Sequence, residues 1–287
     1  MILGIAFHKQ ISVLSPILPY LIALMLFISY CRLSIDDIKL TKFHYILLAI
    51  QYFGSALIYV VLRPINEILA QAAMICVLTS TATSAPVVAG MLGGSIPATA
   101  AYSLISNLSV AFIGPLFLSF IGRTNESIPF TSSFSHIFMS VIPILIIPFI
   151  IALLLNKFAP IVHKRIKSAQ NASFYIWAVA LTIVVGNVTQ YISLQNDGNY
   201  TLELIIISAS LIICLLQFYF GRRIGSKFNK TIAGGQGLGQ KNTVLAIWLT
   251  QTYLNPLAAL GPGAYVLWQN IVNSWQLWRY AKRKYKN

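Results

Sequence analysis

IAGGQGLGQKNTVLAIWLTQTYLN, residues 232–255, decides how the rest of this chain is read. The stretch lies inside a long apolar region, yet Gly234, Gly235, Gly237 and Gly239 fall within six residues. Each glycine costs a helix about 1 kcal/mol against alanine, so an unbroken helix is not expected here. Lys241 follows directly, and Asn242 and Thr243 belong to the residue types that cap a new helix. The reading is a helix that breaks at membrane depth and restarts at about Asn242. Irregular backbone at that depth survives only where protein or a water-filled cavity surrounds it. An ionisable residue beside such a break points to a binding site.

Composition supports the membrane setting. The chain is 57% hydrophobic and only 9% charged, with mean hydropathy +0.76. Soluble domains carry roughly 25% charged residues, so an all-α polytopic membrane protein is expected, with the lipid bilayer as its solvent. Cys31, Cys76 and Cys214 stand in apolar runs at wide, unpatterned spacing and read as packing residues. The first apolar runs do not have the proportions of a cleavable signal peptide.

Working outward from the glycines, apolar spans fall at about 12–30, 43–62, 65–92, 96–121, 136–155, 172–191, 202–220, 232–255 and 256–278. Residues 1–7 are apolar but far fewer than the roughly 20 a span requires. Gln51 is an isolated polar residue near the middle of its span. The span at 65–92 is interrupted by TSTATSAP at 79–86, and Pro86 is suited to the first turn of a restarted helix. A Gly93-Gly94-Ser95 turn leads into the next span, where Thr99 and Ser103 share a helix face. The offsets 12 to 172, 43 to 202 and 96 to about 255 are similar, which implies two repeats. The counterpart of the span at 136–155 would fall almost wholly before Met1. Either the true start lies upstream or most of one span has been lost; on the residues given, nine full spans plus a truncated first span are expected.

Sixteen of the twenty Lys and Arg residues fall in the links 31–42, 156–171 and 221–230 and in the tail after Trp278. This asymmetry places those segments, and the C-terminus, in the cytoplasm of a plasma-membrane protein. It also accounts for the net charge of +14 without nucleic acid. The tail RYAKRKYKN reads as a juxtamembrane anchor for anionic headgroups.

Two interrupted spans at matching positions of two halves point to a transporter's binding site. Close helix packing of small residues is the plainer account of either break alone, and it covers the matched pair less well. A lysine at the centre of a span costs roughly 2.5–3.5 kcal/mol on insertion scales. Lys241 has about ten residues on either side, too far for snorkelling to an interface. All six acids (Asp36, Asp37, Glu67, Glu126, Asp197, Glu203) lie in links or near span ends, so no carboxylate is available at depth to bind a cation. GGQGLGQKNT lacks the ending of a phosphate-binding loop. His8, His44, His136 and His163 sit at span ends or in links at no metal spacing and read as interface residues. No nucleophile–base spacing argues for an enzyme.

GQGLGQKNTVLAIWLTQTYLNP followed by LGPGAYVLWQNIVNS resembles the ninth and tenth spans of the bile acid:sodium symporter family. The broken span before it and GGSIPATAAYSLIS resemble that family's fourth and fifth. The resemblance implies inverted five-helix repeats with two crossed, broken helices. It further implies a panel part (1–31 and 136–191), a core part (43–121 and 202–278) and a basic tail (279–287) within a single membrane domain. By position it implies that Gln51 belongs to the second sodium site and Thr99 and Ser103 to the first, that Thr83 matches a threonine at the first break and Asn242 the asparagine after the second, and that Gln269 and Asn270 match a polar pair near the substrate cavity. Ser84, Gln240 and Lys241 complete the candidate set. The departures are as informative. The sodium-site glutamate of the family falls on Gly237, its neighbouring glutamine on Lys241, and the serine-asparagine pair of the first break on Ala85-Pro86. Both sodium sites lose their main side chains, and the Lys241 ammonium is expected where the second sodium would sit. The expectation is a secondary transporter of a small organic anion, without a cofactor and without classical sodium coupling. The competing expectation is a non-transporting receptor or scaffold that keeps the fold.

Overall fold

The computed structural model describes residues 2–32, 39–122, 129–168, 170–193 and 200–284. Among them every extended regular element is helical. The chain opens with α1 (Ile2–Ala6), α2 (His8–Ile11), a 3-10 segment (Ser12–Ile17) and α3 (Leu18–Tyr30). It continues with α4 (Lys42–Leu62), α5 (Glu67–Leu78), α6 (Ala85–Met91) and α7 (Ile96–Ile121). Then come α8 (Phe130–Phe158), α9 (Pro160–Ser168), α10 (Gln170–Ser193) and α11 (Tyr200–Ser226). The last are α12 (Thr231–Gly239), α13 (Thr243–Tyr253) and α14 (Leu260–Lys284). Among the described residues six segments are long and apolar enough to cross a bilayer: His8–Arg32, Lys42–Leu62, Ile96–Ile121, Phe130–Phe158, Ala172–Ser193 and Tyr200–Ser226. This is an all-α membrane protein. The expected spans at 65–92 and 232–255 are each divided into two short helices.

One expectation needs correcting. The glycine run does not break its helix: α12 passes through Gly234, Gly235, Gly237 and Gly239, and the break falls at 240–242. Packing is the physical reason. A Cβ on Gly221 would lie 2.2 Å from the Gly234 carbonyl oxygen, and one on Gly234 would lie 2.1 Å from that of Gly221. Helices α11 and α12 thus meet backbone to backbone, as small residues permit between membrane helices. Gly239 faces the Phe218 ring and Gly237 the Tyr102 ring, where a Cβ would come within 2.4 and 2.8 Å. The propensity cost of about 1 kcal/mol per glycine is offset by these contacts.

The first break follows its sequence reading more closely. Helix α5 is capped by the Asn66 side chain, which accepts from the Leu69 amide, and it ends at Leu78. Pro86 stands in the first turn of α6. That helix closes on Gly93, which adopts φ 77°, a conformation only glycine takes without strain. The Gly94 amide then donates to the Ala89 carbonyl at 2.7 Å. His44, expected as an interface residue, is fully buried: it completes a capping box with Thr41 at the start of α4 and its Nε2 meets the Ala98 carbonyl.

The chain forms two compact units. The first comprises Met1–Ile35, Asn107–Asn199 and Val244–Ala259. In it α1 crosses α10 closely at Gly4, where a Cβ would lie 2.6 Å from the Thr182 carbonyl oxygen. The second comprises Asp36–Ser106, Tyr200–Thr243 and Leu260–Asn287. It holds both breaks, with residues 107–121 and 244–259 of the sequence-assigned core part belonging to the first unit.

Candidate functional site: the crossing of two broken helices

Within the second unit the two breaks cross as an antiparallel bridge centred on Thr81 and Lys241. The Ala82 amide donates to the Gln240 carbonyl at 2.9 Å, and the Asn242 amide donates to the Ser80 carbonyl at 2.8 Å. Side chains repeat the exchange. Lys241 Nζ donates to the Val77 carbonyl at 2.8 Å, and Thr81 Oγ1 donates to the Gly237 carbonyl at 2.6 Å. Lys241 and Thr81 are 160 residues apart, as are Gly237 and Val77. Each break therefore reaches back to the same relative position on the other.

The end of α5 shows why these side chains are present. A helix leaves its last four carbonyls without intrahelical partners, and in a membrane interior no water stands in. Here all four are met. The Ile75 carbonyl accepts from the Thr79 amide, Cys76 from Gln217 Nε2 at 3.1 Å, Val77 from Lys241 Nζ, and Leu78 from Gln51 Nε2 at 2.7 Å. Beyond them, Thr79 accepts from Lys241 Nζ at 2.9 Å and from Gln51 Nε2 at 3.3 Å. The Lys241 ammonium thus sits against the negative end of the α5 dipole, the favourable end for a cation. It is 2% exposed and bonds to carbonyls, with no acid among its hydrogen-bond partners. The end of α12 is capped in parallel fashion: the Gln236 carbonyl accepts from the Gln240 amide, Gly237 from Thr81, and Gly239 from the Tyr265 hydroxyl.

Most of the sequence-assigned residues converge here. Gln51 is fully buried and makes four bonds, accepting on Oε1 from the Tyr102 and Ser106 hydroxyls at 2.8 and 3.0 Å. Gln269 accepts from the Lys241 amide at 2.8 Å. Gln240 Nε2 donates to Ser84 Oγ at 2.8 Å, joining the two breaks once more. Ser103 Oγ approaches the Thr81 and Ala82 carbonyls at 3.5 and 3.4 Å. Asn242 is buried at the start of α13, and Thr83 is half-buried in the first break. Two residues behave otherwise. The Thr99 hydroxyl turns back to the Ser95 carbonyl, and Asn270 is exposed with its amide on Val266 of its own helix.

Tyr102, Ser106, Gln217 and Tyr265 are participants that the sequence reading does not assign to the site, and Thr81 enters it only within the interrupted stretch 79–86. One signal was present for part of this set. Tyr265, Gln269, Asn273 and Gln276 recur at the spacing of a single helix face, and all four are buried. Asn273 and Gln276 accept from Gln236 Nε2, and Gln276 also accepts from Arg222 at 2.6 Å.

The space at Gly237 has its own occupant. Its missing side chain is replaced by Tyr102, whose Cδ1 and Cε1 would lie 2.8 and 3.3 Å from a Cβ there. No acid could be carried at 237 without moving that ring. No family model matches the chain, and no curated protein matches it.

Proposed function

We propose that the chain is a secondary transporter of a small organic anion, a divergent relative of the bile acid:sodium symporters built from inverted repeats. The observation that carries this reading is the reciprocal crossing at Thr81 and Lys241, where two half-helices end at one buried polar centre. Broken helices crossed in this way are the architecture of alternating-access carriers, and the freed backbone groups supply their sites. Lys241 takes the part of a tethered cation: its ammonium holds carbonyls that a bound metal ion would otherwise hold, and it cannot leave. The carrier would then work without sodium. The competing receptor or scaffold would bind ligand in the same fold and move none.

Counterflow in proteoliposomes tests transport directly. Vesicles preloaded with an unlabelled mixture of organic anions are expected to accumulate labelled anion transiently. A receptor shows no uptake, and a channel shows uptake without the transient overshoot. The positive-inside pattern adds the orientation: the tail after Trp278 faces the cytoplasm of the plasma membrane. A fluorescent protein fused to the C-terminus is expected to fluoresce. An active alkaline phosphatase at the same position would overturn that orientation.

A further inference from the structure

The second unit holds a pair of arginines that the crossing does not use. Arg222, near the end of α11, is half-buried, and its Nη2 donates to Gln276 Oε1 of α14 at 2.6 Å. Its stem packs over the Gly235 backbone of α12, where a Cβ would lie 2.7 Å from Cγ and 3.3 Å from Nε. The guanidinium is thus held in place by two helices, and one of its five N–H donors is committed to Gln276. Arg279, three residues beyond Gln276, is exposed and close enough for its charge to act on Arg222. Among the described residues neither arginine forms an ion pair with an acid. Glu203, on the same helix as Arg222, stands nineteen residues earlier, about 28 Å along the axis. The surface beside the pair is that of a membrane boundary. Leu267, Ile271, Trp275 and Trp278 form an exposed stripe along α14 that ends at Arg279. The Arg279 guanidinium lies over the Trp275 ring at 5.3 Å, and Lys282 Nζ over the Trp278 ring at 5.2 Å. Tryptophans so placed mark the headgroup level, with hydrocarbon to one side and charge to the other. Tyr280 fastens this end of α14 to the turn after α6, its hydroxyl 2.7 Å from where a Cβ on Gly93 would lie.

We propose that Arg222 and Arg279 hold the phosphodiester of an anionic phospholipid, with its acyl chains along the stripe from Leu267 to Trp278. Two cations with no acid between them repel each other, and an ionised phosphate relieves that repulsion. A guanidinium matches phosphate bidentately, and Arg222 is already positioned to do so. A zwitterionic lipid brings its own ammonium to the same cations and loses part of the gain. A free phosphate ion has no chains for the stripe. Arg222 lies outside the basic tail, so the site is distinct from the tail's general attraction to anionic headgroups. It is also linked to the crossing, because Gln276 Oε1 accepts from Gln236 Nε2 of α12 as well as from Arg222. The proposal rests on the membrane setting and is independent of transport, since it is read by binding alone.

A phosphatidylglycerol with a fluorophore on one acyl chain is titrated with the full chain in neutral-detergent micelles, and its anisotropy is read against empty micelles. Saturable binding is expected, displaced by unlabelled phosphatidylglycerol and not by millimolar inorganic phosphate. Phosphatidylcholine is expected to displace it less readily, by about fivefold or more. Arg279→Gln is expected to weaken binding about fivefold, the worth of one basic residue at an anionic surface. Arg222→Gln is expected to weaken it about tenfold or more, the worth of a charge-assisted bond. Arg223→Gln changes the net charge equally at an exposed neighbour and is expected to cost less than either. Thermal stability in the same micelles identifies a misfolded variant. Where Arg222→Gln does not fold, Arg222→Lys takes its place: it keeps the charge but loses the planar fork, and weaker binding is again expected. Equal displacement by phosphatidylcholine, full displacement by inorganic phosphate, absence of saturable binding, unchanged binding by the folded Arg222 or Arg279 variant, or an equal loss in Arg223→Gln would each overturn the assignment.

Discussion

Lys241→Ala is expected to lower counterflow by about a hundredfold or more while leaving a folded protein. The two outcomes follow from different sums. The ammonium makes two charge-assisted bonds, to the Val77 and Thr79 carbonyls. Such bonds contribute roughly 1.5–3 kcal/mol each. Against them stands the cost of placing a lysine at membrane depth, roughly 2.5–3.5 kcal/mol, which the alanine variant avoids. The two sums overlap, so the net loss of stability lies between about zero and about 3 kcal/mol. The geometry of the crossing is another matter, because Lys241 pins the end of α5 to the link between α12 and α13. A loss of about 3 kcal/mol in holding that arrangement is about two orders of magnitude in any step that requires it. Propylammonium replaces the atoms removed beyond Cβ and is expected to restore part of the activity, whereas propanol is not. An alanine variant that exchanges substrate at the wild-type rate would remove Lys241 from the mechanism.

Gln51→Leu is expected to be the most damaging single polar substitution for stability, by about 2–5 kcal/mol. The side chain is fully buried and makes four hydrogen bonds. Leucine fills much of its volume but removes the donor to the Leu78 carbonyl and the acceptor of the Tyr102 and Ser106 hydroxyls. An orphaned buried group costs roughly 1–3 kcal/mol, and hydrogen bonds between membrane helices average about 0.6 kcal/mol in double-mutant cycles. The lost bonds, with the Leu78 carbonyl left short of its donor, set the range. Asn270→Ala is the matched control: that side chain is exposed and bonds only within α14, so a change under about 0.5 kcal/mol is expected. Unfolding in mixed micelles reads both. A Gln51→Leu protein as stable as Asn270→Ala would contradict the capping account of the first break.

What was legible in the sequence was legible for physical reasons. A lysine, a mid-span glutamine and a proline opening a half-helix are costly in a bilayer unless partnered, so Lys241, Gln51 and Pro86 drew the eye to the crossing. The glycines misled because propensity treats each residue alone. Gly221 and Gly234 touch across thirteen residues of chain and two helices, and that contact outweighs a local cost. For the opposite reason Thr81, Tyr102 and Ser106 were not assigned to the site. Threonine, tyrosine and serine are ordinary in membrane helices, and only the fold shows that these three converge on Gln51 and the first break. Asn270 shows the limit of transfer by position, since one residue along α14 separates the buried Gln269 from an exposed neighbour.

The central claim is that Lys241 stands in place of a mobile cation. A sodium ion within 4 Å of the ammonium would be repelled by roughly 4 kcal/mol even at an effective dielectric near 20, on the order of a thousandfold in affinity. Gly237 offers no carboxylate to offset this, and Tyr102 occupies the space one would need. The most direct test is counterflow measured with sodium on both sides of the vesicle and then with choline in its place. The account predicts the same rate in both. Strict dependence on sodium in the unmodified protein would contradict it.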